Sequence, residues 1–348
     1  MIFCGDFVYP SGNLNADFST LDKSFLNKPK ALNFEAAIDS AIKSKKTRGI
    51  ALKSTMEVIE ILEKLNVKCT SHANNHTFDF KLDIKGYKQI LLNNNILPMG
   101  FGENIEEASR PFVFDEEKIV ILSFGWKGIG CKYARKNNPG VNPYKYSWVE
   151  SQVKFWKNQY PNYKLILFIH WNYELEKYPQ PADREFSRYM VKNGVDAIFG
   201  HHPHIIQGYE FINGKPIFYS LGNFYLPQIQ YGNKSVSYPK EALKGVCCEY
   251  VSGNNVNVYL IRQDREGRHL EILDYDKPDK IKELTSVSGF QGLSKEEYFH
   301  FFKKNRLHKR KFLPIYKDYT KTLTNKFYDG LILVRQYLID TVVSMLKN

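Results

Sequence analysis

Short, uninterrupted apolar runs alternate with longer stretches of helical period along most of this chain. The runs cover residues 2–8, 31–33, 69–71, 119–123, 165–169, 197–200 and 217–220, all of strand length or less. Between them, residues 54–65, 83–93, 147–158 and 184–193 repeat apolar side chains every three or four positions, the period of helices with one buried face. Strands apolar on both faces and separated by helices predict a layered α/β sheet. Residues 245–250 and 257–262 read as a late hairpin.

After about residue 274 the pattern turns wholly helical. The chain therefore divides into an α/β domain over 1–275 and a helical extension over 276–348. Ser294, followed by Glu296 and Glu297, offers an N-cap with acids in the first turn. Residues 325–347 carry an apolar stripe at Leu331, Val334, Leu338, Val342 and Met345, expected to pack on the main domain or a partner. A membrane-surface contact is the competing use of such a stripe beside basic residues.

Composition narrows the class. With 348 residues, 43% hydrophobic and 25% charged, the chain can bury a sizeable core, which excludes wholesale disorder, a collagen-like repeat and a polytopic membrane protein. Five cysteines form an odd set without C-x-x-C spacing, and several lie in apolar runs, so they read as buried reduced thiols of a cytoplasmic protein. The first residues show neither a basic region nor a signal-length apolar region, and the apolar window at 330–346 is broken by Arg335, Gln336 and Asp340. The expectation is a cytoplasmic chain, peripheral to the membrane at most.

The net charge of +12 raises the question of nucleic acid. Residues 294–348 hold 12 basic and 5 acidic side chains, so +7 belongs to the extension and only +5 to the rest. Its aromatics, Tyr298, Phe299, Phe301 and Phe302, fall at helical spacing and read as packing before base stacking. Nucleic acid is therefore not the expected partner; an anionic surface or a protein is.

Five polar clusters stand just after predicted strands: Gly5-Asp6, Asn33-Phe34-Glu35, Asn74-Asn75-His76, His170 to Glu174, and Gly200-His201-His202-Pro203-His204. Ligands of open α/β sheets bind beyond strand C-termini, so the five converge on one crevice. Any one of them alone reads as a turn, a cap or a core histidine. Three histidines in four residues need more, because crowded imidazoles repel when protonated. Asp, Glu, Asn and His together suit Mn, Zn, Fe or Mg rather than a thiolate site.

The ordered set Gly5-Asp6, Asn33-x-Glu35, Asn74-Asn75-His76-x-x-Asp79, His170-Trp171, Gly200-His201-His202-Pro203-His204 and Ser220-Leu221-Gly222-Asn223-Phe224 resembles the CapA family. These are poly-gamma-glutamate or capsule biosynthesis proteins of the calcineurin-like metallophosphoesterase superfamily. The resemblance covers roughly residues 1–262. It implies a four-layered α-β-β-α sandwich of metallophosphoesterase type, here with a C-terminal helical extension, and a crevice binding one or more divalent metal ions. By position it makes Asp6, Glu35, Asn75, His170, His202 and His204 the metal ligands, with His202 and His204 preferred over His201. It makes His76 the acid facing a leaving group, oriented by Asp79, and places Glu174 and Asn223 beside the crevice.

Two departures bear on activity. Val8 stands where the superfamily has a histidine ligand, and Asn172 replaces the branch's glycine, adding a side chain expected near the crevice. Three functions follow. The first is a metal-dependent hydrolase acting on an anionic substrate, a phosphoester, polyglutamate or peptide, with Arg48, Lys53 and Lys127 expected to read its charge. The second is a glutamyl- or peptide-modifying enzyme, by transpeptidation or epimerisation, using His76 acid/base chemistry with little metal dependence. The third is a non-enzymatic envelope-assembly factor docked through residues 294–348.

Overall fold

The computed structural model describes residues 1–10, 16–44, 50–231, 234–253, 255–307 and 312–345. Strands β1 (Ile2–Phe7), β2 (Lys30–Phe34), β3 (Val67–Ser71) and β4 (Leu97–Met99) run parallel in one sheet. A second sheet is built on β5 (Phe112–Phe114), β6 (Ile119–Gly125), β7 (Lys164–His170), β8 (Ala197–His201), β9 (Tyr209–Ile212) and β10 (Lys215–Phe218), in the order β5-β6-β7-β8-β10-β9. The chain then returns to the first sheet with β11 (Asn223–Tyr225), β12 (Lys244–Ser252), β13 (Asn255–Gln263) and β14 (Leu270–Asp276). That sheet reads β14-β13-β12-β1-β2-β3-β4, with β11 also paired to β1.

Alternation along the strands sets the layers. Phe3, Ile121, Phe168 and Phe199 point between the sheets, where Phe3 and Phe199 stack at 4.4 Å. Their neighbours Ile2 and Cys4 face the opposite way, onto helices α1 (Glu57–Lys64) and α2 (Ile84–Leu92). Val120, Leu122 and Leu167 meet α3 (Tyr146–Gln159) and α4 (Pro181–Lys192) on the far side. The result is a four-layered α-β-β-α sandwich. Helix α4 begins three residues before the periodic stretch because Pro181 suits the first helical turn, where its missing N–H costs nothing. All five cysteines are buried and unpaired with one another.

The extension is folded onto the second sheet's helical layer. Helix α5 (Lys295–Asn305) starts in a capping box: Glu297 N–H donates to Ser294 Oγ, and Ser294 N–H donates to Glu297 Oε2 at 2.8 Å. Arg184, buried in α4, donates to both Glu210 oxygens and to the Leu293 carbonyl, which ties α5 down. Helix α6 (Thr322–Met345) does not lay its apolar stripe on the main domain, one of the packings its periodicity suggested. Leu331, Val334 and Leu338 face outward, and the inner side carries buried Asn325 and Ile332 with Asp329 half-buried between them. A polar face can be buried because Trp126 Nε1–H and the Tyr316 hydroxyl both donate to Asp329 Oδ1, at 3.2 and 2.8 Å. The side chains of Val342 and Met345 lie outside the described residues. Among the described residues no helix is long and apolar enough to cross a membrane.

Candidate metal centre

Parallel strands from both sheets end along one edge, and their register assembles the site. Asp6 on β1 lies beside Asn33 of β2 and Asn223 of β11, while His170 closes β7 beside His201 of β8. Gly5 makes the β1–β11 approach possible, since a Cβ there would lie 2.0 Å from the Gly222 carbonyl oxygen. Beyond β8, His202 and His204 take positive φ values of 92° and 57°, a conformation that costs energy in any residue but glycine. The loop is held there from two sides: His202 N–H donates to Asp6 Oδ2 at 3.0 Å, and Leu175 N–H donates to the Pro203 carbonyl at 2.9 Å.

The centre of the cluster is the Asn33 amide. Its Nδ2 donates to Asp6 Oδ1 and to Glu35 Oε1, each at 2.8 Å, and lies 3.1 Å from His170 Nδ1. Asp6, Glu35 and His170 are all buried, and each offers a ligand atom within 4.8 Å of the others. Asn75 Oδ1 joins them at 2.7 Å from His170 Nε2. His204 Nδ1 is 3.3 Å from Asp6 Oδ2, its Nε2 is 3.9 Å from Glu35 Oε2, and the His202 ring sits 4.8 Å from that of His170. All six residues expected as ligands thus come together.

Two buried polar atoms here lack any hydrogen-bond partner: Glu35 Oε2 and His202 Nδ1. Orphaned acceptors are costly in a buried site, and a divalent cation is what satisfies a carboxylate and an imidazole at once. The donor set of carboxylate, amide oxygen and imidazole fits such an ion.

The electrostatics separate the two acids. Burial pushes Asp6 up, but the His204 hydrogen bond and the surrounding imidazoles outweigh it and hold the carboxyl well below its ordinary range. Burial, and then the charge of Asp6, drive Glu35 well above its own. Burial and then His202 hold His170 well below its ordinary range, and burial with His204 nearby lowers His202 to about 3. Burial would lower His204 too, but the bond to Asp6 reverses the sign and raises it.

A crevice of about 460 Å³ opens over this cluster. His76 lines it, and its Nδ1 lies 2.7 Å from Asp79 Oδ2, which also accepts from Leu52 N–H. Asn74 builds the turn beneath, accepting from the backbone N–H groups of His76 and Thr77. Glu174 lines the crevice and accepts from the Tyr238 hydroxyl at 2.6 Å, and Asn223 Oδ1 lies 2.9 Å from His204 Nδ1.

Other expected residues lie elsewhere. Asn172 turns away from the crevice, its Oδ1 accepting from Gln180 N–H at the start of α4. Lys53 and Lys127 are exposed and do not line the crevice, and Arg48 is outside the described residues. Among the described residues that do line it, Arg335 of α6 is the one lysine or arginine. His201 points between the sheets, its ring 4.1 Å from Phe168. Val8 is buried in the core on the α1–α2 side.

Sequence reasoning missed three contributors. Asn33 stood in a flagged cluster without a role. Tyr238, whose ring stacks on His204 at 5.1 Å, and Arg335 belong to no spacing pattern.

The family model described as "Bacterial capsule synthesis protein PGA_cap" matches residues 6–228, well over half of the chain. The "PGA biosynthesis protein CapA" of Bacillus subtilis is 29% identical over 187 residues, 52% of this chain and 48% of that protein. The "Capsule biosynthesis protein CapA" of Bacillus anthracis is 27% identical over 209 residues, 56% of this chain and 50% of that one. A "Probable polyglutamine synthesis accessory protein" of Mycobacterium tuberculosis is 23% identical over 209 residues, 55% and 54% of the two chains. The chain therefore spans about half the length of the curated relatives it matches.

Proposed function

We propose that this chain, which belongs to the bacterial capsule synthesis protein PGA_cap family, uses its crevice as a metal-dependent hydrolytic site for an anionic substrate, a phosphoester or a polyglutamate-type polymer or peptide. The observation that supports this is the buried cluster of Asp6, Glu35 and His170 with unpartnered Glu35 Oε2 and His202 Nδ1 beside it. Asp6, Glu35, Asn75, His170, His202 and His204 would hold the metal, which when bound supplies Lewis acidity and a water acidified toward neutral pH.

The remaining chemistry belongs to the chain. Asp79 holds His76 by Nδ1, which fixes the ring and leaves Nε2 to carry the proton that a departing alkoxide or amine needs. Arg335 offers a fixed positive charge at the crevice wall opposite a site rich in carboxylates, which favours a substrate with its own negative charge. Tyr238, stacked on His204 and bonded to Glu174, shields that side of the cluster from water.

The test begins with protein purified without chelator, followed by elemental analysis and assay on bis(p-nitrophenyl) phosphate and γ-linked glutamate oligomers with Mn or Zn added. Stoichiometric metal, and activity lost together with it in Asp6→Asn and His170→Ala, are expected. Metal-free protein that stays inert after metal is added, on every one of these substrates, would reject the proposal.

A further inference from the structure

Helix α6 has two faces, and only one has a use in the fold. Its inner side carries Asn325, Asp329 and Ile332, anchored by Trp126 and Tyr316, and it contributes Leu333, Arg335 and Gln336 to the crevice wall. Its outer side carries Leu323, Phe327, Leu331, Val334 and Leu338, spaced by four, four, three and four residues, a single row along the helix. These side chains are 83%, 62%, 46%, 58% and 57% exposed. Of the 14 large apolar side chains exposed on the described chain, seven lie on α6. An apolar concentration of this kind on one element is a contact surface rather than scattered surface hydrophobicity.

The charge around the row selects the occupant. Lys321 and Lys326 are exposed beside it. Of the acids described there, Asp318 is paired with Lys295 at 2.7 Å, and Asp329 accepts from Trp126 and Tyr316 on the inner side. The outward surface is thus apolar and cationic, within a segment whose sequence carries +7. A second copy packed face to face would set like charges against each other. Burying the row across a bilayer is excluded by Lys326, Asp329 and Arg335 in the same helix.

We propose that the outer row of α6 docks on an anionic phospholipid surface, lying in the plane of the headgroups with Leu323, Phe327, Leu331, Val334 and Leu338 among the acyl chains. Interfacial helices bind through buried apolar area plus attraction of flanking cations to anionic lipid, and α6 has both. Docking uses only the face turned away from the crevice, so it is independent of the hydrolytic reading.

The experiment is co-sedimentation of the full chain with vesicles of phosphatidylcholine alone or with phosphatidylglycerol, at low and high salt. Binding to the anionic vesicles at least about tenfold stronger than to the neutral ones, and weakened by salt, is expected, since each lysine near the surface contributes about 1 kcal/mol. Leu331→Glu with Leu338→Glu, and separately Lys321→Glu with Lys326→Glu, should each lower it about tenfold while the melting temperature stays unchanged. Any of three results overturns the proposal: no binding to anionic vesicles at low salt, binding undiminished in both variants, or a concentration-dependent dimer that Leu331→Glu abolishes in protein that ignores vesicles.

Discussion

Asp6 and Glu35 share one amide nitrogen, and the proton this forces on them can be counted. Each accepts from Asn33 Nδ2 at 2.8 Å, so the two acceptor oxygens are no more than 5.6 Å apart. Two full negative charges at that distance repel by about 3 kcal/mol at an effective dielectric constant of about 20. The His204 hydrogen bond and the surrounding imidazoles outweigh burial and hold Asp6 well below its ordinary range, whereas burial and then the charge of Asp6 hold Glu35 well above its own. A divalent cation binding to both carboxylates must displace the Glu35 proton. We expect protons to be released as the metal binds, from Glu35 and also from His204, which its bond to Asp6 raises, and an apparent affinity that rises with pH. Titration calorimetry with Mn or Zn in two buffers of different ionisation heat gives the proton number directly. Glu35→Gln should remove the Glu35 proton from the count while leaving the fold intact. Heats that do not depend on the buffer, or a proton number unchanged in Glu35→Gln, would refute the shared-proton argument.

Three further outcomes follow from the packing. Burial pushes Asp183 up to about 7 despite hydroxyl donors from Tyr146 and Tyr144. Its folded pKa lies above the unfolded one, so its contribution to stability is full at low pH and lost between about pH 4 and pH 7; urea midpoints should show Asp183→Asn gaining ~2 kcal/mol, at most about 4, at pH 8 and almost nothing near pH 4. An equal gain at both pH values would contradict this. Arg184→Ala leaves the buried Glu210 short of its main partner and frees the Leu293 carbonyl, at a cost of about 3 kcal/mol, with hydrogen exchange accelerating first over 290–305. Gly5→Ala drives a Cβ into the Gly222 carbonyl and should lower both melting temperature and bound metal, whereas Gly289→Ala, whose Cβ would meet nothing within 4 Å, changes neither.

The layered architecture was legible because its strands are apolar on both faces and its helices are not. Residues 119–123 and 165–169 could be little else than inner strands, and the observed β6 and β7 extend them by two residues or fewer at each end. The short strands Leu97–Met99 and Phe112–Phe114 escaped, since Pro98 inside the first and Pro111 just before the second read as strand breakers. The polar clusters were legible as a group, because strand ends in a parallel sheet share an edge. What the pattern could not reveal was the role of an amide such as Asn33, which depends on register between β1 and β2. That the apolar stripe of α6 turns away from the main domain was hidden for a related reason. Periodicity scores apolar residues, whereas the buried side of this helix is held by Asp329 against an indole and a phenol from distant segments.

Helix α6 also imposes a thermodynamic symmetry. Leu331 and Val334 lie on its outer side, and Ile332, Leu333 and Arg335, in the same turn, line the crevice. A rigid turn cannot shift on one side and stay fixed on the other. Whatever factor a crevice ligand imposes on attachment of the outer row, attachment must impose the same factor on that ligand's affinity. A factor of one in either measurement requires a factor of one in the other.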